Sequence, residues 1–72
     1  MASTPTVIRH AKRGNTILQV ITYFERSEFR AVFQEYTYNT DTGRTVLNVS
    51  EVYLSEQGAT LAWQSALYSV AA

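Results

Sequence analysis

Phe29-Arg-Ala-Val-Phe-Gln-Glu-Tyr-Thr-Tyr38 is the stretch that decides the fold of this chain. It is rich in aromatic and β-branched residues, which fit a pleated surface and lose rotamer freedom in a helix. The polar break Glu25 to Glu28 precedes it, and Asn39-Thr-Asp-Thr-Gly43 follows it. The second break resembles a type I turn closed by a glycine in the left-handed conformation, which is common in hairpins. The stretch therefore predicts a strand between two hairpin turns.

The segments on either side complete a small α+β fold. Thr16 to Phe24 predicts the first strand of the sheet, and Arg44 to Tyr53 predicts the third. From Ser55, a suitable N-cap residue, the pattern changes to the 3.6-residue period of a helix. The apolar stripe of that helix consists of Ala59, Ala62, Trp63, Ala66, Leu67 and Val70. We predict a three-stranded antiparallel meander and one C-terminal helix packed on one sheet face, a single β-β-β-α domain over residues 15–72.

Residues 1–14 form a basic N-terminal segment that can add a fourth strand. The first predicted strand, Thr16 to Phe24, contains no charge and no proline, although the meander places it on an edge. Uncharged edges invite pairing. Thr6 to His10 can pair with it, because Lys12-Arg-Gly-Asn15 has the composition of a turn. The alternatives are a flexible basic arm, or a second molecule that pairs with the same edge.

The two hairpins fix the register and so divide the sheet into two faces. We expect Phe24 to pair with Phe29, and Thr40 to pair with Arg44. The phenylalanine face then consists of Leu18, Val20, Thr22, Phe24, Phe29, Ala31, Phe33, Glu35, Thr37, Thr45, Leu47, Val49, Glu51 and Tyr53. The tyrosine face consists of Ile17, Gln19, Ile21, Tyr23, Arg30, Val32, Gln34, Tyr36, Tyr38, Val46, Asn48, Ser50, Val52 and Leu54. Nine of the fourteen residues on each face are apolar or aromatic.

One helix can cover only one of these faces. We assign it to the phenylalanine face, with Trp63 near Phe33 and Val49, because phenylalanine has no polar group and gains most from burial. The tyrosine face mixes tyrosine, arginine and amides with apolar residues, as protein interfaces do. The sequence therefore predicts a partner-binding surface consisting of Tyr23, Arg30, Val32, Tyr36 and Tyr38. The alternative is that the segment around Val7-Ile8 folds back over part of this face.

Size and composition favour a partner as well. A domain of 72 residues has a small core, and oligomerisation or a bound target commonly supplies the missing stability. The absence of cysteine and the single histidine exclude a disulfide framework and a structural zinc site. The opening residues do not resemble a signal peptide, and the uncharged stretch Gly14 to Phe24 is too short to span a membrane. We expect a cytoplasmic protein with a protein partner, or a homodimer.

Charge distribution supports a second hypothesis, nucleic-acid binding. Arg9, Lys12 and Arg13 give the first fifteen residues a charge of +3, which leaves −3 for the remainder of a chain of net charge zero. Arg9, His10, Lys12 and Arg13 together are a segment of the kind that neutralises phosphates, while tyrosines on a sheet face can stack on bases. The zero net charge and the acidic body argue against this hypothesis. Nucleic acid is therefore the less favoured partner.

Catalysis has little support in the sequence. Asp41-Thr-Gly43 has the letters of an aspartic-protease triplet, but a single triplet in a predicted turn cannot supply the two carboxylates that this chemistry requires. Glu35 and Glu51 share the phenylalanine face, yet no nucleophile, metal-ligand cluster or phosphate-binding loop accompanies them. We expect no catalytic residue, cofactor, metal, membrane or small-molecule substrate.

The hypothesis that remains is a small non-enzymatic protein-binding module that acts by surface occlusion or assembly. The order of three antiparallel strands and a helix resembles that of small arm-binding and AP2-like DNA-binding domains, and compact phage inhibitors are of similar size. Neither resemblance includes a motif that assigns site residues. The most concrete form of the hypothesis is a phage-type inhibitor, encoded by a mobile element, of a host protein complex.

Overall fold

The computed structural model describes residues 4–70, which form one antiparallel sheet and one helix. The elements are β1 (Thr6–Arg13), β2 (Thr16–Glu25), β3 (Glu28–Asn39), β4 (Arg44–Tyr53) and α1 (Glu56–Val70). The four strands lie in the order β1-β2-β3-β4, so each strand pairs with its neighbour in the chain. The α+β fold is confirmed. Its N-terminal segment forms the fourth strand, which continues to Arg13, three residues beyond the predicted Thr6 to His10.

The β1–β2 and β2–β3 hairpins have two-residue loops. Gly14 is the first loop residue between paired Arg13 and Thr16, and its φ of +59° is the positive φ that the first position of a type II′ turn requires. In the second loop Arg26 and Ser27 both have positive φ, +52° and +67°, as in a type I′ turn. The predicted Phe24–Phe29 pair is confirmed, and the two rings meet edge to face at 5.6 Å.

The β3–β4 turn is one residue longer than predicted. The Asn39–Arg44 pair closes a four-residue loop, so the predicted pairing of Thr40 with Arg44 is wrong. The Asn39 side chain explains the extra residue, because its Oδ1 accepts hydrogen bonds from the backbone N–H of Asp41 at 2.9 Å and of Thr42 at 3.2 Å. The left-handed glycine is confirmed at Gly43, with φ of +71°, and its N–H donates to the Asn39 carbonyl at 2.8 Å.

A β-bulge at Asn48 compensates for the longer turn. Tyr36 pairs with Leu47 and Glu35 pairs with Val49, which leaves Asn48 without a partner in the β3 ladder. The predicted pairing of Tyr36 with Asn48 is therefore wrong. The Asn48 amide instead donates to Thr37 Oγ1.

The bulge restores the predicted register only over the second half of β4. Val32 pairs with Val52 as expected. Before the bulge, Tyr38 pairs with Thr45 instead of Val46, and side chains exchange faces. Leu47 and Thr45 lie on the tyrosine face, while Val46 and Asn48 lie on the phenylalanine face, the reverse of the prediction for all four residues.

The core lies between α1 and the phenylalanine face. Val20, Ala31 and Ala59 are fully buried there, and Trp63 packs against them. Trp63 Nε1 also donates a hydrogen bond of 3.0 Å to the carbonyl of Leu18 in β2. The predicted assignment of the helix to the phenylalanine face is therefore correct.

Helix α1 begins as the sequence predicts. Ser55 Oγ accepts a hydrogen bond of 3.1 Å from the N–H of Gly58 and so caps the first turn. Gly58 permits a close approach to β4, because a Cβ at this position would lie 3.2 Å from Cδ1 of Tyr53. Among residues 4–70, no helix has the length and apolar character needed to cross a membrane.

Candidate functional site

The tyrosine face is the candidate site, because α1 packs on the opposite side of the sheet. Cross-strand partners share a face, so the register arranges its side chains in rows that run from β1 to β4. One row begins with Lys12 on β1 and continues with three apolar or aromatic residues, Ile17, Tyr36 and Leu47. A second row is wholly apolar and consists of Val7, Ile21, Val32 and Val52. A polar row of His10, Gln19, Gln34 and Ser50 lies between them.

The outer ends of the apolar rows are open to solvent. Leu47 is 47% exposed and Val52 is 58% exposed, both on the edge strand β4. Val32 is only 4% exposed although no helix among residues 4–70 packs on this face, and Ile21 and Val52 lie beside it in the same row. The face therefore has a close-packed middle and an exposed apolar margin.

The polar row is held in place by an amide pair. Gln19 Nε2 donates to Gln34 Oε1 at 2.8 Å, and both side chains are partly buried. A carboxamide has two N–H donors and an acceptor with two lone pairs, so this one bond leaves hydrogen-bonding capacity on both residues. The middle of the face can therefore form directional contacts in addition to apolar ones.

Arg30 is partly neutralised at the β2–β3 end of the face. Its guanidinium forms an ion pair with Glu28 and donates to the carbonyl of Phe29 at 3.0 Å. Glu25 pairs with Glu28 across the hairpin, so two carboxylates face each other there. This end of the face presents a charged cluster rather than a single cation.

The five predicted binding residues lie together on the tyrosine face. Tyr23 and Arg30 are neighbours across β2 and β3, and Val32, Tyr36 and Tyr38 continue along β3. The prediction omitted Ile17, Ile21, Leu47 and Val52. The sequence places Ile17, Ile21 and Val52 on this face. It places Leu47 on the opposite face, because the sequence does not reveal the bulge.

The four basic residues of the N-terminal segment do not form one patch. Strand alternation directs His10 and Lys12 to the tyrosine face, where they pair with Gln19 and Ile17. Arg9 and Arg13 pair with Val20 and Thr16 and lie on the phenylalanine side. The N-terminal segment is therefore a strand with cations on both faces, and not a continuous basic arm.

β1 extends the tyrosine face instead of covering it. Val7 lies at the margin of the face, half exposed, while Ile8 packs against the core on the other side. The alternative in which the Val7-Ile8 segment folds back over the face is therefore wrong. On the helix side, Arg9 lines an open cleft of about 440 Å³ together with Glu56, Gln57, Thr60, Leu61 and Gln64.

The titratable side chains include one tyrosine with a shifted pKa. Among the residues that the structure describes, no group of three or more His, Asp and Glu side chains is placed to bind a metal ion. Burial raises the pKa of Tyr53 above its ordinary value, and the charge and hydrogen bond of Glu51 raise it further. The Tyr53 hydroxyl donates to Glu51 at 3.4 Å, so Glu51 takes part in a contact between side chains of β4.

No protein-family model, curated protein or solved structure matches this chain. The candidate site accordingly rests on the geometry of the tyrosine face.

Proposed function

We propose that this protein is a non-enzymatic binding module whose tyrosine face covers a surface of another protein. The observation that carries the proposal is the uncovered sheet face, on which two apolar rows flank a hydrogen-bonded glutamine pair. An apolar patch that spans four strands is unusual on a monomer and typical of an interaction site.

The composition of the face matches the anatomy of a protein interface. Its middle combines apolar and aromatic residues with the uncharged Gln19–Gln34 pair, and charged groups are confined to its margins, at Lys12 and at the cluster around Arg30. Tyrosine contributes a large apolar area and a polar hydroxyl, and it is enriched among residues that dominate binding energy. Tyr36 lies on a central strand between Ile17 and Leu47, where a partner would desolvate it extensively.

Such a module acts by occupying a surface or by joining two proteins. A chain of this size can block a binding site on a larger complex without any chemistry of its own. An inhibitor of a host complex, encoded by a phage-type mobile element, is the concrete form of this proposal.

The test compares Tyr36→Ala with Tyr68→Ala, which changes a tyrosine that is 86% exposed on α1. Tagged proteins are used to capture partners from a lysate of the source cells, and the thermal midpoint of each variant is measured. We expect Tyr36→Ala to weaken capture by roughly thirtyfold or more, with a small change in midpoint. Tyr68→Ala should change neither. A collapsed midpoint with undiminished capture would assign Tyr36 to the core and refute the proposal.

Nucleic acid is the second candidate, favoured by one observation. The register places His10 and Lys12 on the same face as Tyr23, Tyr36 and Tyr38, so cations and stacking rings share a surface. The ion pair between Arg30 and Glu28 and the net charge of zero oppose it.

The two candidates differ in their dependence on salt. We expect no appreciable binding of the wild type to generic RNA or DNA at physiological ionic strength. Strong binding that falls steeply with salt, and that is lost in Lys12→Ala but kept in Arg13→Ala, would establish the nucleic-acid function instead.

A further inference from the structure

The two edges of the sheet differ in their protection against pairing. β1 has cations at Arg9, Lys12 and Arg13, and its register is interrupted by a bulge between Val7 and Arg9. Charges and bulges are the features that keep sheet edges from pairing. β4 also contains a bulge, at Asn48, but it has no charge from Thr45 to Ser50. The two edges therefore differ in charge, and β4 has the weaker charge barrier to association.

β4 also exposes apolar side chains on both of its faces. Val46, on the phenylalanine face, is 54% exposed, because α1 leaves this outer strand largely uncovered. Leu47, on the tyrosine face, is 47% exposed. A strand added beside β4 would cover both side chains and pair the outward backbone groups of β4.

We propose that two copies of this chain pair through β4, antiparallel about a two-fold axis that passes between Leu47 and Asn48. Residues that lie opposite each other in this contact must share a face of the sheet. Because Asn48 is an extra residue, a residue before the bulge shares a face with those residues after it that are an odd number of positions away. The bulge therefore restricts the possible registers. Val46 of one copy then lies opposite Val49 of the other, and Thr45 lies opposite Ser50.

Pairs of opposite charge favour this register over the register that is shifted by two positions. In the proposed pairing Arg44 of each copy lies opposite Glu51 of the other, so the symmetric contact contains two pairs of opposite charge. Shifting the register by two positions would place Val46 opposite Glu51 and Arg44 opposite Tyr53, which loses both charge pairs. Pairs of opposite charge across antiparallel strands are stabilising, and like charges in the same positions are destabilising.

The symmetry of the contact has a consequence for the tyrosine face. A two-fold axis perpendicular to the sheet keeps both tyrosine faces on one side and both copies of α1 on the other. The dimer would present one continuous face of eight strands, with two equivalent binding sites. The pairing itself goes beyond the proposed function, because it requires no partner on the tyrosine face.

The experiment measures dimer dissociation by sedimentation of purified protein over a range of concentrations. We expect the wild type to dimerise reversibly, and Arg44→Glu or Glu51→Arg to weaken the dimer roughly tenfold, since each change places like charges opposite each other twice. The double variant Arg44→Glu, Glu51→Arg should recover wild-type affinity. Val46→Lys should give a monomer, and Arg13→Glu, on β1, serves as the matched control without effect.

Three results would overturn the inference. A wild type that remains monomeric at all concentrations excludes the contact. A dimer that survives Val46→Lys but dissociates in Tyr36→Ala is formed through the tyrosine face. Failure of the double variant to recover affinity excludes the proposed register. Because Tyr36→Ala leaves β4 unchanged, loss of partner capture in that variant and loss of dimerisation in Val46→Lys report separately on the two proposals.

Discussion

Trp63 joins the helix to the sheet through two kinds of contact. Its ring packs against buried Val20, Ala31 and Ala59, and its Nε1 donates to the Leu18 carbonyl at 3.0 Å. An indole N–H that is removed from water needs such an acceptor. The apolar stripe of the sequence identified the residue and the face it covers, but not the carbonyl that it binds, because strand register decides which backbone group lies beneath the ring.

Replacement of Trp63 should therefore separate packing from hydrogen bonding. Trp63→Ala removes both and should lower the free energy of unfolding by about 3–5 kcal/mol, enough to unfold a domain of this size. Trp63→Phe keeps an aromatic ring and should lose about 1–2 kcal/mol. Urea denaturation followed by circular dichroism gives both values. An unchanged midpoint in Trp63→Ala would show that the helix packs through another face.

The Arg26-Ser27 loop carries local strain. Both residues have positive φ, a conformation that costs a residue with a Cβ roughly 1–2 kcal/mol relative to glycine. Type I′ turns favour Asn-Gly at these two positions. Replacing Arg26-Ser27 by Asn-Gly should therefore raise the free energy of unfolding by about 1–2 kcal/mol.

Thermal or urea denaturation measures this gain. Ser50→Gly is the matched control, because Ser50 lies within β4, where glycine weakens a strand. It should lower stability while the loop variant raises it. Equal losses in the two proteins would show that the backbone of the loop is not strained.

At the scale of elements, β4 shows where turn chemistry and strand register interact. The four-residue turn and the bulge each shift the register by one position. The two shifts cancel, so the predicted register is restored from Val49 onward. The composition of the turn predicted its place and its left-handed glycine. It did not predict the length of the loop, because the Asn39 side chain competes with the strand ladder for the N–H groups of Asp41 and Thr42.

Deletion of Asn48 tests this account of β4. Asn48 is the residue without a ladder partner, so its removal should leave the Leu47–Tyr36 and Val49–Glu35 pairs in place. The loss should be limited to about 1 kcal/mol, from the hydrogen bond to Thr37. Deletion of Ser50, within the regular ladder, should exchange the faces of neighbouring residues and unfold the protein. Equal stability of the two deletion variants, measured by urea denaturation, would contradict the assignment of the bulge.

At the scale of the whole molecule, one helix covers one face of a four-stranded sheet and leaves the other face and the β4 edge open. A partner that binds only the folded chain raises the apparent free energy of unfolding, and the increase grows with the logarithm of the partner's concentration. If the proposed dimer forms, the thermal midpoint of the wild type should rise with protein concentration. Val46→Lys should remove that dependence and retain the midpoint of the dilute wild type. A midpoint that is independent of concentration in both proteins would argue against self-association.

The sequence by itself determined the strands β2, β3 and β4, the helix with its cap at Ser55, the register of β2 on β3 and the face that the helix covers. These features depend on alternation, helical period and local turn residues, all of which act between positions close in the chain. Tertiary structure decided three others: the assignment of β1 to a strand with cations on both faces, the bulge at Asn48, and the position of Leu47 on the open face. They depend on which backbone groups meet between strands, where a one-residue shift reverses every side chain without altering the local pattern.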